Sequence, residues 1–260
     1  MFLEDPWARL GPNIIGATGG SGTRVVARIA RHGGLFIGAE LNHMEDAAAF
    51  GAYSDRWINA YVAHTTFPRR VITRIRMVRD LKRLVTMHLL PLEGIAQAWG
   101  WKEPRSIYLL PFWNSQFSGF RFLHLVRDGR DMAYSSNQNQ LQMHGNVLLN
   151  ATENRWPEPL RSMALWSRIN LRAAEFGERI LGDRYLRVRF EDLCLESAAT
   201  TSRILAFLGL EGDADSIAAL EVASAPRETL GRWKHHATAS DATELTGIGR
   251  VALLKFGYEV

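Results

Sequence analysis

Cysteine is almost missing from this sequence. One residue, Cys194, in 260 excludes an intrachain disulfide and fits a reducing compartment. No apolar run approaches the roughly 18 residues of a membrane span. The start, MFLEDPWARLGP, carries acidic residues and a proline where an export leader would have a basic and then an apolar run. The expected location is therefore cytoplasmic, with no membrane span. The sequence has no internal repeat and no low-complexity segment. It has no grouping with metal-ligand spacing either: the paired histidines of KHH (234–236) are adjacent, and adjacent residues share neither a helix face nor a strand face. The formal net charge is only +4, and no basic run is interleaved with aromatics, which argues against nucleic acid as a partner.

Hydrophobic residues make up 47% of the chain, enough to bury a core. NIIGAT (13–18) reads as a buried strand, short, apolar and closed by glycine. Thr23 to His32 reads as a helix with Val25, Val26, Ile29 and Ala30 on one face, stopped by Gly33-Gly34. LFIGAE (35–40) reads as a second strand, which completes a βαβ unit. Residues 44–100 read as mostly helical, FRFLHLVRD (120–128) as a strand running into a loop, and Gly129 to Ser136 as a helix start. Residues 137–158 are polar and read as a long loop or lid. An amphipathic helix over 160–181, a strand in YLRVRFEDL (185–193) and a helix in SAATTSRILAFLGL follow. No linker divides the pattern. The expected fold is α/β: a single three-layer P-loop-like domain over 1–260, with a central parallel sheet flanked by helices.

GATGGSGTRVVARIA (16–30) is the most informative stretch. A glycine turn between strand and helix exposes backbone N–H groups at the positive end of a helix dipole, and together these hold a phosphate. Ser21 and Thr23 add hydroxyls. A tight turn that needs glycine for its backbone angles alone is the bland reading. A Walker A loop, GxxxxGK[ST], would end on a lysine, and none is present. HLVRDGRDMAYS (124–135) puts Arg127 at a strand end, where sheet ligands bind, and Ser135 further along. An arginine fork plus a hydroxyl suits a second phosphate; pairing of Arg127 with Asp128 or Asp131 is the alternative. VRFEDL (188–193) offers an acidic pair after a strand, for chemistry or for Asp192 to cap a helix.

Taken in order, GGSGTR, WGWKEPRS, HLVRDGRDMAYS, VRFEDL and LGRWKHH resemble the motifs of the sulfotransferase superfamily, in its bacterial and carbohydrate-type members, over residues 13–236. The resemblance implies a metal-independent sulfotransferase with 3′-phosphoadenosine-5′-phosphosulfate (PAPS) as donor co-substrate. Gly19, Gly20, Ser21, Gly22, Thr23 and Arg24 match the loop that holds the 5′-phosphosulfate. Arg127 and Ser135 match the pair that holds the 3′-phosphate. Arg232, Trp233 and Lys234, in GRWK (231–234), match the late loop over the nucleotide. Lys102 matches a lysine facing sulfate or acceptor. Many members carry a lysine or arginine where this chain has Gly20, so Lys102, or else Arg24, is expected to take over the leaving-group cation.

The resemblance implies a small-molecule or carbohydrate acceptor, attacked through a hydroxyl, with an amine as second choice; its identity is not readable in the sequence. The acceptor is expected beneath residues 44–70 and 137–158. A base must take its proton. AELNHMED (39–46) supplies Glu40, His43, Glu45 and Asp46. Glu40 stands nearest to a glutamate that often serves carbohydrate-type members. His43 is second because an ordinary imidazole titrates near neutrality, and His64 is third. His124, inside a strand, reads as a core histidine, and Cys194 as inert. Trp99, Trp101 and Trp113 flank Lys102 and are either core or acceptor wall. A non-catalytic nucleotide-binding homologue is one alternative, kept open by Gly20. A P-loop kinase or nucleotide hydrolase is another; it lacks its lysine and its magnesium-binding acid after a strand.

Overall fold

The computed structural model of the protein describes residues 11–92, 97–225 and 227–260. The readings of the N-terminal leader and of residues 93–96 lie outside these.

Four parallel strands form the centre: β1 (Asn13–Ala17), β2 (Gly100–Lys102), β3 (Arg121–Val126) and β4 (Tyr185–Arg189), in the order β2-β1-β3-β4. Ile15 is opposite Lys102, Ala17 opposite Leu125, and Val126 opposite Arg189. Strand alternation sends neighbouring side chains to opposite faces. Ile14 and Phe122 enter one core, and Ile15, Ala17, Leu123 and Leu125 enter another.

Helices cover both faces, as an all-parallel sheet requires. The chain order is α1 (Thr23–His32), α2 (Ala48–Ala63), α3 (Arg69–Leu89), α4 (Leu110–Gln116), α5 (Gly129–Ala133), α6 (Asn139–Leu148), α7 (Glu158–Phe176), α8 (Phe190–Leu195), α9 (Ser197–Leu208), α10 (Ala214–Glu221), α11 (Trp233–His236) and α12 (Ala239–Lys255). α1, α9 and α10 cover one face. α2, α3, α4 and α7 cover the other. α12 packs on α7 beside the end of β3. The fold is thus the three-layer α/β arrangement expected. Trp99, Trp101 and Trp113 are core residues: each is buried, and the Trp101 ring stacks on Phe50 at 4.0 Å. His124 is a satisfied core histidine, its two ring nitrogens 2.7 Å from the Tyr185 hydroxyl and 2.8 Å from Asn170 Oδ1.

Four expectations need correction. Residues 35–40 do not form a strand. Phe36 makes one parallel bridge to Trp99, and then Gly38 turns the backbone to φ 126; the short β2 takes the place beside β1. Residues 137–158 are not a long loop. They hold α6, whose buried face includes Gln140 and His144, so polar composition hid an ordered element. The helix expected from Gly129 to Ser136 ends at Ala133, and Ser135 follows it on the turn. The strand expected through Leu193 stops at Arg189, and Asp192 does not cap the helix that follows; it sits in the first turn of α8.

Candidate active site

All four strands run the same way, so their carboxyl ends share one edge of the sheet. Thr18, Lys102, Arg127 and Phe190 stand there, at or just beyond β1, β2, β3 and β4. Sheets of this kind bind ligands at that edge.

The turn Gly19–Gly22 joins β1 to α1. Gly20 and Gly22 have φ of 78° and 85°, a region that favours glycine. A β-carbon at Gly22 would also run into the Phe190 ring at 2.3 Å. Ser21 is buried and donates to the Thr18 carbonyl at 2.6 Å; Thr18 Oγ1 in turn accepts from Asn170 Nδ2 at 3.3 Å. These bonds fix the turn. The first turn of α1 has neither a side-chain cap nor an acidic residue. Val25 N–H bonds the Gly22 carbonyl at 3.1 Å, and no acidic side chain offsets the positive dipole end. Gln140, unforeseen from sequence, supports the turn: it lies against Gly19, donates to the Ala17 carbonyl at 3.4 Å and accepts from the Tyr108 hydroxyl at 2.7 Å.

A second cluster sits at the end of β3. Arg127 is buried and reaches the Thr229 hydroxyl at 2.9 Å, the Thr229 carbonyl and Asp131 at 3.2 Å. Its Nε is buried with no partner among the described residues, a donor left for a ligand. Asp131 also accepts from the backbone of Gly231 at 2.9 Å and of Trp233 at 3.2 Å. One carboxylate therefore holds both Arg127 and the late loop. Arg130 lies over the Trp233 ring at 4.3 Å. Arg232 titrates below the ordinary guanidinium range, through burial first and the neighbouring charge of Arg127 second. Lys234 is exposed beside the Trp233 ring. Ser135 faces Gly20 and so links this cluster to the turn.

The third cluster surrounds Lys102. The side chain is buried, and its ammonium is held by the Asp46 carboxylate and by the Met44 carbonyl at 2.8 Å. Burial lowers its pKa, with Asp46 opposing. Arg24 reaches Met44, and its charge is felt at Lys102. Next to Lys102, buried Glu103 caps the 3-10 turn Pro104–Leu109 and bonds the Arg105 guanidinium at 2.6 Å; burial and Asp46 push its pKa up to about 8.

The loop Glu40–Ala47 sorts the base candidates. Glu45 has φ 60 and pairs with Arg28 at 2.6 Å, which turns it toward α1. Asp46 is committed to Lys102. Glu40 and His43 are exposed, with no side-chain partner among the described residues. His64 lies elsewhere, bonded to Thr73 Oγ1 at 2.8 Å on the wall of a cavity between α3 and α7. Among the described residues, no group of three or more His, Cys, Asp or Glu side chains could hold a metal ion.

A glycine turn on a helix N-terminus, with an arginine cluster one strand away on the carboxyl edge of a parallel sheet, defines an α/β protein with its candidate site at that edge. The comparisons with known proteins narrow this. Residues 20–215 match the profile of the sulfotransferase family, and the chain belongs to that family. The sulfotransferase domain of the curacin biosynthetic pathway is 14% identical, with TM-score 0.56 over 97% of this chain and 99% of that one. The corresponding domain of the Synechococcus PCC 7002 olefin synthase is 15% identical, with TM-score 0.57 over 100% and 99%. Sulfotransferase STF9 from Mycobacterium avium is 14% identical, with TM-score 0.58 over 98% and 79%. At such identities the likeness concerns the fold. A search of curated proteins finds no matching sequence. No helix among the described residues is long and apolar enough to cross a membrane.

Proposed function

We propose that the protein transfers a sulfuryl group from PAPS to an acceptor hydroxyl without a metal, acting in the cytoplasm. The donor supplies the sulfuryl group: its S–O bond to the 5′-phosphate breaks as the acceptor oxygen bonds to sulfur, and the electron pair stays on the phosphate. The uncapped start of α1, with Ser21 and Thr23, holds the 5′-phosphate end. Arg127 through its unpaired Nε, Ser135 and Arg232 hold the 3′-phosphate, and Trp233 and Lys234 close over the nucleotide. Lys102 supplies the positive charge that Gly20 cannot, exchanging a contact with Asp46 for one with the leaving oxygen. Glu40 is the proposed base, with His43 the second choice. Both stand free on the loop whose Asp46 holds Lys102.

The observation that carries this reading is the contact of Ser135 with Gly20. It puts the glycine turn beside the cluster at the end of β3, two segments distant in sequence. The test is calorimetric titration with 3′,5′-bisphosphoadenosine, the expected product, against AMP and ATP. Micromolar binding that requires the 3′-phosphate is expected. Preference for ATP, or no binding, would refute the donor assignment.

A further inference from the structure

A cavity of about 630 Å³, with no residue of the Gly19–Gly22 turn in its lining, is within the size range of small-molecule sites. One wall is the α2–α3 pair, the other is α7, and residues 107–111 form the floor. Its depths are apolar and buried: Ile107, Leu110, Ile169 and Ala173 contribute there. On its wall His64 is bonded to Thr73 and the Tyr108 hydroxyl to Gln140, so these polar groups are already engaged. Polar acceptors in the depth are therefore scarce, and a hydrated sugar would lose water there without replacement.

The mouth is different. Arg70, Arg74, Arg172 and Arg179 line the same cavity, against a single carboxylate, Glu175. Glu175 is already bonded to Arg179 at 3.0 Å, and Arg74 lies over the Tyr61 ring. Arg70 and Arg172 are exposed, on opposite walls, and neither side chain has a partner among the described residues. An apolar chamber with two uncommitted guanidinium groups at its entrance is complementary to a chain with an acid at one end.

We propose that this cavity binds a single-chain acidic amphiphile, with the hydrocarbon against Ile107, Leu110, Ile169 and Ala173 and the acid on Arg70 and Arg172. The site is distinct from the phosphate-binding turn, and the proposal does not rest on the donor reading. Tyr108 forms a partition between the two: it lines the cavity and bonds Gln140, which lies against Gly19.

The probe is sodium dodecanoate, titrated calorimetrically below its micellar concentration into the full-length protein without nucleotide. Micromolar binding is expected. Octanoate, four methylenes shorter, should bind on the order of 100-fold more weakly. Dodecylamine, with the same chain and the opposite charge, should bind at least tenfold more weakly. The double variant Arg70→Ala/Arg172→Ala should lose about tenfold for dodecanoate, and Ala173→Trp should abolish binding by filling the chamber. Both altered arginines are exposed, so this variant folds even where Ala173→Trp does not. Equal binding of acid and amine, an unchanged double variant, or binding only at micellar concentrations would each overturn the proposal. A parallel titration of each variant with 3′,5′-bisphosphoadenosine separates failure here from failure of the donor site.

Discussion

The Ser135 hydroxyl stands where residue 20 would carry a side chain: a β-carbon built on Gly20 comes within 3.0 Å of Ser135 Oγ. The sulfur of Met132 borders the same space at 3.5 Å. The missing P-loop cation is therefore not an empty place that lysine could refill. At φ 78 a non-glycine residue also costs roughly 1–2 kcal/mol. Gly20→Lys is expected to weaken 3′,5′-bisphosphoadenosine binding at least tenfold and to leave turnover below that of the parent. Calorimetry and a steady-state assay check both, and a gain in turnover would show that position 20 has room for the cation.

Lys102 takes a different place, at the end of β2, with its ammonium turned to Asp46 and Met44. Lys102→Met keeps most of the packing volume and removes the charge. Loss of one preorganised charge-stabilising donor costs about 10²–10³ in rate. Turnover should fall by that order, and the nucleotide Kd should stay within about threefold. Unchanged turnover would move the role to Arg24, whose charge already reaches the same pocket.

The β1 turn, the arginine at the end of β3, and the elements β1, α1, β3, α7 and β4 were legible in the sequence, because each depends on residues close together in the chain. Glycines at positive φ, apolar alternation and helical spacing are local signals. What escaped depends on pairing at a distance. Asp46 is separated from Lys102 by two helices, and nothing in AELNHMED distinguishes it from Glu45, which turns instead to Arg28. Gln140 was hidden because α6 buries polar side chains held by bonds across the fold, such as His144 Nδ1 to Asn59 Oδ1 at 2.8 Å. Asp131 is the instructive case. Its i,i+4 relation to Arg127 is visible, but its grip on Gly231 and Trp233 is a contact across the fold.

That grip gives a further expectation. Asp131 ties Arg127 to the late loop through two backbone N–H groups, and removing it frees both at once. Asp131→Ala should make the 227–236 segment more open to limited proteolysis and weaken bisphosphoadenosine binding by about tenfold or more. Arg127→Ala should also cost more than tenfold in binding, by removing a charge-assisted contact. It leaves the loop's backbone bonds to Asp131 in place, so proteolysis there should change less. Equal proteolysis in the two variants would mean that Arg127, not Asp131, holds the loop.

Stability should fall on mild acidification. His124 is fully buried between Tyr185 and Asn170, and burial depresses its pKa to about 4; His144, buried beside Asn59, is likewise held near 4 by burial and by the charge of Arg105. In the unfolded chain both imidazoles titrate near 6.5. As pH drops below that value the unfolded state takes up two protons that the native rings refuse. Buried Glu103, its pKa pushed up to about 8, holds one only in the native state and opposes part of this, so unfolding becomes easier by the difference. The loss should build between about pH 6.5 and pH 4 and then level off as the native rings protonate. Each histidine contributes at most about 3 kcal/mol to it, at 1.36 kcal/mol per pKa unit. Chemical denaturation at a series of pH values measures the slope. His124→Gln keeps polar atoms facing Tyr185 and Asn170 without a titrating ring. It should lower stability at pH 7 and remove one of the two histidine contributions to the slope. An unchanged slope in that variant would place the acid sensitivity elsewhere.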